Sequence, residues 1–377
     1  MARPRLAWLL CTVLRLCGAL DDTFAVAAYL PEWRYDGANW ESISKHVTHL
    51  ILFSLEPTPS GEITALERLP RPALLKRARR ATAAEGAKLL LCFGGNGRSS
   101  GFGPMSRSPK ARKAFVANLV ALLDKWKLDG VDYNWEYPGY VMGRGYGSDA
   151  EIAADYAGLK ALVEETAAAF EPSGRVITAA YYPDGKQESL FREYGIDGDV
   201  DLLHAMSYDQ SGPQHSPFSL AEKAVALAKA HLPPKKCTLG VPFYGRDGAR
   251  GDWTTYEDLQ KDHWDVLRDP SVDAVRHNGA AVGFNGVATI ERKTTLALEE
   301  GLGGVMIWEV GQDCRLAETS GKLTPGQQKR AKFPISKAPI SAVFHSFRLI
   351  FGRAIISRDG LAAWMLSLER ARAEHSR

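Results

Sequence analysis

Two carboxylates and an amide alternate within residues 128–138, which read LDGVDYNWEYP. Because residues two apart in a β-strand share a face, Asp132, Asn134 and Glu136 are expected to point the same way. The alternating residues on the other face are bulky and suit a packed layer. They are Val131, Tyr133 and Trp135. A carboxyl group held beside other polar groups can give and take a proton. Burying such a cluster without partners is costly, so a catalytic role is favoured over a satisfied polar network, which remains the structural alternative.

This segment contains one of eight apolar runs of strand length in the chain. They are nearly continuously hydrophobic, which is typical of parallel strands covered on both faces. The runs are residues 24–30, 48–54, 88–93, 130–136, 176–181, 201–208, 238–243 and 304–308. The segments between these runs carry residues typical of helix caps. They are Ser108-Pro109, Ser148 with Glu151, Ser219 with Glu222, and Gly301 after residues 290–300.

This alternation predicts an α/β fold, specifically a (β/α)8 TIM barrel, with an open doubly wound sheet as the alternative. Glu136 would then lie at the carboxyl end of the fourth strand, where barrel active sites are built. The seventh-to-eighth connection, residues 244–303, is the longest. It can hold a helix or two and loops, so no large inserted domain is expected.

The two ends of the chain differ from this body. Arg3 and Arg5 precede an apolar run at 6–14 and small residues at 17–19, which predicts a signal peptide over 1–20 and a secreted, extracellular protein. The catalytic domain is assigned to 21–323. Residues 324–377 form a basic C-terminal extension, expected to be disordered or helical, with membrane-surface contact as an alternative.

Composition argues against several other classes. The formal net charge of +3 is too small to indicate a nucleic-acid partner. The histidines and cysteines lack metal-ligand spacing, so no metal and no cofactor is expected. The pattern Gly97-Arg-Ser-Ser-Gly101 fits a serine hydrolase, but Ser99 falls in a loop between a strand and a later helix, unlike a nucleophile elbow.

The 128–138 segment resembles the D-x-x-D-x-D-x-E signature of glycoside hydrolase family 18, the chitinases and their relatives. Other segments agree: 88–95 is similar to the S-x-G-G motif, 206–209 to M-x-Y-D, 303–308 to the eighth-strand run ending in Trp308, and Tyr29-Leu-Pro to the end of the first strand. These motifs occur in the expected order over roughly residues 24–315.

The resemblance implies a retaining cleavage of chitin or N-acetylglucosamine oligosaccharides in which the substrate's own acetamido group attacks. Glu136 would be the proton donor and then the base, with Asp132 and Asn134 behind it. The resemblance also implies the substrate-binding residues, which are Tyr208 and Asp209 around the acetamido group, Trp308 beneath the sugar, and Met206 and Tyr29.

Two positions depart from the family pattern. Asn134 replaces an acid, which we expect to lower the Glu136 pKa, and Cys92 replaces the usual serine hydroxyl. The seventh connection is nevertheless short compared with that of family members carrying an inserted α+β domain there, which suggests a more open groove and endo cleavage. A non-catalytic chitin-binding lectin on the same fold, and an endo-β-N-acetylglucosaminidase acting on N-glycans, remain alternatives.

Overall fold

The computed structural model describes residues 24–263 and 265–313, and the predicted signal peptide and C-terminal extension lie outside them. Eight parallel strands form a closed barrel. The strands are β1 (Ala25–Pro31), β2 (His49–Pro57), β3 (Lys88–Gly94), β4 (Gly130–Asn134), β5 (Val176–Tyr181), β6 (Leu202–Ala205), β7 (Cys237–Pro242) and β8 (Gly304–Trp308). The predicted TIM barrel is therefore confirmed.

Closure of the barrel depends on pairing between its first and last strands. Ala25 of β1 pairs with Gly304 of β8, while Ala27 of β1 pairs with His49 of β2. Both contacts are parallel, so β1 has a neighbour on each side and the sheet has no free edge there. An open doubly wound sheet would leave β1 and β8 apart, and this pairing excludes it.

Helices cover the outside of the barrel. The α-helices of the described residues are Trp40–Ser44, Pro72–Ala84, Phe102–Arg107, Pro109–Trp126, Asp149–Phe170, Lys186–Glu193, Ile196–Asp199, Phe218–His231, Tyr256–His263 and Val287–Glu299. Short 3-10 turns add Glu32–Gly37, Leu66–Arg68, Glu171–Ser173, Pro234–Lys236 and Val310–Gln312. None of the helices in the described part of the chain combines the length and apolarity needed to cross a bilayer.

Three of the four predicted helix caps are confirmed and one is wrong. Gly301, with a φ of 74°, follows the end of the helix Val287–Glu299 as predicted. The Ser108 side chain accepts from Ala111 N, and Ser148 forms the predicted capping box with Glu151. Ser219 does not cap a helix, because the helix already begins at Phe218 after an extended Pro217. Proline fixes the entry angle there without a side-chain hydrogen bond.

The long seventh connection contains a small antiparallel sheet, where the sequence suggested helices and loops. Its strands are Tyr244–Asp247, Trp253–Thr255, Ala274–His277 and Ala280–Gly283. The last two form a hairpin around Asn278 and Gly279, which both have positive φ. An Asn-Gly pair suits such a turn, so the local signal was present in the sequence. The inserted segment is small, in agreement with the absence of a large inserted domain.

Three further strands of two residues each lie beyond the carboxyl ends of barrel strands β2 and β4. Ile63–Thr64 pairs antiparallel with the end of β2, and Tyr140–Val141 forms a hairpin with Gly145–Tyr146 just after β4. Inside the barrel, buried hydrophobic side chains form one cluster. It comprises Ala27, Tyr29, Ile51, Phe53, Leu90, Cys92, Ala180, Met206, Tyr208, Tyr244, Met306 and Trp308.

Candidate active site

Strand β4 places the predicted polar residues inside the barrel. Asp132 and Asn134 are buried, at 0% and 3% exposed, while Tyr133 between them points outward and shares a 2.7 Å hydrogen bond with Thr166 of the covering helix. The predicted alternation of faces is therefore present. The strand ends at Asn134, two residues earlier than the apolar run suggested, so Glu136 lies just beyond the strand and is partly exposed.

Asp132 is enclosed by donors from three other strands. Its carboxylate accepts from Tyr29 Oη of β1 at 2.9 Å and from Thr178 Oγ1 of β5 at 2.6 Å. Burial raises the pKa of Asp132, and hydrogen bonds from Thr178, the Cys92 thiol and Tyr29 oppose that rise. The sulfur at Cys92 thus occupies a donor position even though a thiol is a weaker donor than a hydroxyl.

Glu136 has the electrostatics that a general acid needs near neutral pH. Burial raises the pKa of Glu136 to about 7, and the negative charge of Asp209 adds to the effect. Hydrogen bonds from the Asn134 side chain, the Asn96 backbone and Tyr137 favour the ionised form and limit the rise. A carboxyl group with a pKa near the working pH can both donate and accept a proton.

Asn134 connects this acid to the barrel interior. Its amide hydrogen-bonds to the Glu136 carboxyl, whereas its Oδ1 is buried and finds no hydrogen-bond partner among the described residues. A buried acceptor without a partner costs free energy unless a ligand or water supplies a donor. An incoming N–H group would satisfy it.

Met206, Tyr208 and Asp209 follow the end of β6. Tyr208 is buried and its hydroxyl lies 3.6 Å from Met306 Sδ. Asp209 has a positive φ of 62° and accepts a 2.6 Å hydrogen bond from Tyr244. Its carboxylate also lies 3.2 Å from Nη1 of Arg246.

The charge of Asp209 is well compensated by this environment. Burial alone would raise the pKa of Asp209, but hydrogen bonds from His215 and Tyr244 and the positive charge of Arg246 outweigh it and lower the pKa. The residue therefore stays ionised while neighbouring Glu136 can hold a proton. Two carboxyl groups with separated pKa values are typical of acid–base sites.

Trp308 ends β8 at the same end of the barrel. Its ring centroid lies 5.4 Å from that of Tyr29 and 4.7 Å from that of Phe53, and the side chain is 9% exposed. The peptide bonds after Phe53, Glu136 and Trp308 are cis. Trp308, Tyr29 and Phe53 form a buried aromatic group at this end of the barrel, and Tyr29 joins it to Asp132 by a hydrogen bond.

Several contacts to this site were missed from the sequence. Tyr244 and Arg246 come from the inserted sheet, and Asn96 and Ser99 come from the loop after β3. Each lies at or just after the carboxyl end of a barrel strand. That position was the available signal, because barrel sites collect residues from the ends of several strands.

No group of three or more metal-ligating side chains occurs within the described residues 24–263 and 265–313. The two cysteines in this part of the chain, Cys92 and Cys237, are buried and free. The Ser99 hydroxyl accepts a 3.1 Å hydrogen bond from the backbone N–H of Glu136. The loop serine of the Gly-x-Ser-x-Gly pattern is therefore bonded to the residue that carries the acid.

Comparison with known sequences identifies relatives named chitinases. Probable chitinase 2 of Drosophila melanogaster is 25% identical over 289 residues, covering 61% of this chain and 58% of that protein. The chain spans only 12% of probable chitinase 10 of the same organism. Chitinase 1 of Aphanocladium album is 23% identical over 358 residues, covering 76% and 81% of the two chains.

Solved structures share the fold. The Ostrinia furnacalis Group IV chitinase in complex with allosamidin aligns with a TM-score of 0.65 at 19% identity, covering 88% of this chain and 99% of that one. The class V chitinase of Nicotiana tobaccum in complex with NAG4 gives 0.60 at 20% identity, covering 77% and 95%.

The family model described as Glycosyl hydrolases family 18 matches residues 25–313, which include the whole barrel, the inserted sheet and every residue of the candidate site. The chain belongs to glycosyl hydrolases family 18, and its barrel is a glycoside hydrolase domain of the chitinase-like type.

Proposed function

We propose that the protein hydrolyses β-1,4-linked N-acetylglucosamine chains, such as chitin or its oligosaccharides, with Glu136 as the acid and base. The observation that carries the proposal is the position of Glu136. It is a partly exposed carboxyl group with a pKa of about 7, hydrogen-bonded to Asn134 and next to an ionised Asp209. The names of the relatives, and the NAG4 and allosamidin complexes of two structural neighbours, agree with this substrate class.

The geometry supports a retaining, substrate-assisted reaction. Protonated Glu136 would donate to the glycosidic oxygen while the acetamido carbonyl oxygen of the sugar attacks the anomeric carbon and forms an oxazolinium ion. The buried Oδ1 of Asn134 would accept from the acetamido N–H. A water molecule would then attack the anomeric carbon and open the oxazolinium ring, and the Glu136 carboxylate would take a proton from that water.

The remaining site residues would hold the sugar in the reactive geometry. The Tyr208 hydroxyl would contact the acetamido group, and the ionised Asp209 would stabilise positive charge on the oxazolinium ion. Trp308 would stack beneath the pyranose ring. Met206 and Tyr29 belong to the same buried cluster and would shape the floor, with Tyr29 also fixing Asp132 by its 2.9 Å hydrogen bond.

A chitin-binding lectin is the second candidate, and Asn134 is the observation that favours it. The amide keeps a hydrogen bond to Glu136 but adds no negative charge to the site. The inserted sheet contributes Tyr244 and Arg246 beside Asp209. The open groove and endo cleavage both stay predictions.

The experiment compares the wild type with Glu136→Gln on a fluorogenic chitotrioside and on a high-mannose glycopeptide. We expect release from the chitotrioside by the wild type and a loss of at least about 10²-fold in the variant, the usual size of a general-acid contribution. Binding of chitin oligosaccharides by both proteins without release would establish the lectin. Release from the glycopeptide alone would establish an endo-β-N-acetylglucosaminidase.

We also propose export of the protein, with removal of residues 1–20, on the basis of the N-terminal charge and apolar pattern. Mass spectrometry of the protein from culture medium would show a mature N-terminus near Asp21. An intact Met1 retained in the cells would contradict the proposal.

A further inference from the structure

Ser99, in the loop after β3, makes a contact that the proposed reaction does not yet use. Its Oγ accepts a 3.1 Å hydrogen bond from the backbone N–H of Glu136. The same hydroxyl lies 3.1 Å from Gly95 O and 3.4 Å from Asn134 O, either of which can accept its single proton. Ser99 thus joins the loop directly to the residue that carries the acid.

The Glu136 N–H needs such a partner because β4 has already ended. The last parallel pairs of β4 are Gly94 with Asn134 and Tyr133 with Ala179. The backbone of Glu136, two residues further on, pairs with neither neighbouring strand. A sheltered N–H without a hydrogen-bond acceptor costs free energy. The Ser99 side chain supplies the acceptor that the sheet no longer provides.

The loop also holds the other end of Glu136. The backbone N–H of Asn96 hydrogen-bonds to the Glu136 carboxyl group, and Gly95 N donates to Asn134 O at 2.7 Å. Three groups within five residues of the loop therefore contact the end of β4 or the acid itself. A change in the spacing between loop and strand would alter the position of the carboxyl group and its hydrogen bond together.

The loop is itself attached to neighbouring strand ends. Arg98 forms an ion pair with Glu32 at 2.6 Å and donates to Ser54 Oγ at 3.1 Å, while Ser54 donates to Gly94 O at 2.7 Å. Gly95 packs so closely that a Cβ there would lie 2.4 Å from the Phe53 ring. The support behind Ser99 is therefore rigid enough to fix a position.

We propose that Ser99 is a positioning residue that sets the place of the Glu136 carboxyl group through its hydrogen bond to the Glu136 backbone. The proposal rests on the proposed function of Glu136 as acid and base. Ser99 does not touch the substrate in this role. The serine of the Gly97–Gly101 pattern acts on the chemistry through the glutamate and not as a nucleophile.

Loss of the hydroxyl has a defined consequence. Without it the end of β4 can move away from the loop, which weakens the bond from Asn96 N–H to the carboxylate. That bond favours the ionised form, so the Glu136 pKa rises in Ser99→Ala. Because substrate contacts are untouched, kcat falls by about three- to tenfold, the size of one net hydrogen bond, and KM changes by less than about twofold.

The test measures Ser99→Ala, Ser99→Thr and the control Ser100→Ala, whose exposed side chain belongs to the same loop. Threonine keeps the hydroxyl and restores kcat and its pH dependence, and the control retains wild-type values. The Glu136 pKa is measured separately by carboxyl ¹³C NMR, with Glu136→Gln used to assign the signal.

The two readouts separate this proposal from the proposed function. If the wild type cleaves no substrate, the function fails, but an upward shift of the Glu136 pKa in Ser99→Ala still supports the positioning role. An unchanged pKa in Ser99→Ala overturns the positioning role whether or not the wild type is active. A fall in kcat that threonine does not reverse, without a pKa shift, also overturns it and indicates general disturbance of the loop.

Discussion

Asn134 is the residue at which this chain departs most clearly from its family signature. Replacing it by aspartate exchanges an N–H donor to Glu136 for a negative charge. Both changes disfavour the ionised acid, so the Glu136 pKa rises above its value of about 7. In Asn134→Asp the rate should therefore persist to higher pH, because the proton donor stays protonated longer. The measurement is kcat against pH on a chitooligosaccharide.

A pH profile unchanged between wild type and Asn134→Asp would contradict this electrostatic account. The matched control is Cys237→Ser, because Cys237 is buried in β7 and lies outside the barrel-interior cluster that contains Cys92. Cys237→Ser should leave the pH at which kcat declines unchanged.

The polar cluster could be predicted because its physics is local. Period-two alternation places Asp132 and Asn134 on one face of a single strand, whatever the rest of the fold does. The particular contacts of Ser99 and Tyr244 could not be predicted, because their partners Glu136 and Asp209 lie 37 and 35 residues away. Such contacts depend on the exact spacing of loops between strands, which periodicity does not encode.

At the scale of elements, all eight barrel strands coincide with apolar runs of the sequence, and their ends differ by a few residues. The run at 201–208 illustrates why, since β6 ends at Ala205 although Met206 and Tyr208 are still apolar. Those side chains fill the barrel interior, so hydrophobicity continues after the ladder stops. The inserted sheet was missed because its strands have only three or four residues each and lack a long period.

Closure of the barrel makes a specific demand on Gly304. A Cβ there would lie 2.1 Å from Ala25 O, within the β1–β8 contact. Gly304→Ala should lower the free energy of unfolding by about 2–3 kcal/mol, because a backbone carbonyl of the paired strand cannot move aside cheaply. Urea unfolding followed by circular dichroism gives the measurement.

Gly198→Ala is the matched control for Gly304→Ala. A Cβ at Gly198, in the short helix Ile196–Asp199, would meet no described atom within 4 Å. We expect no loss and a gain of up to about 1 kcal/mol from reduced entropy of the unfolded chain. Equal stabilities for the two variants would show that β1 and β8 tolerate separation.

At the scale of the whole molecule, the described residues include buried titratable groups whose effects on the pH dependence of stability have opposite signs. Burial raises the pKa of Glu136, Glu188 and Glu309 to about 7. Burial also lowers the pKa of His49 to about 4 and of His204 to about 3. All five groups change protonation differently in the folded and unfolded chains between pH 5 and 6.5.

The signs of the two effects follow from proton counting. Between pH 5 and 6.5 the folded glutamates retain protons that the unfolded chain has released, so stability falls as pH rises. The folded histidines are neutral where unfolded ones bind protons, so their contribution rises with pH. Among the described residues, the three glutamates therefore lower stability and the two histidines raise it as pH rises through this range, and Asp132, with its raised pKa, acts in the same direction as the glutamates.

Replacing one of these glutamates or one of these histidines should change the pH dependence of the unfolding free energy in a predictable direction. Glu188 is suited to the test because it is buried and its Oε1 has no partner among the described residues. Each proton difference changes the unfolding free energy by about 1.4 kcal/mol per pH unit. Glu188→Gln should therefore make the change in unfolding free energy from pH 5 to 6.5 more positive by about 2 kcal/mol. His204→Asn should make that change more negative by about the same amount. Urea unfolding at the two pH values measures both, and Glu193→Gln, exposed on the same helix as Glu188, should match the wild type. Parallel pH dependences for all four proteins would contradict the account, because the slope measures the difference in bound protons between the unfolded and folded chains, to which Glu188 and His204 each contribute.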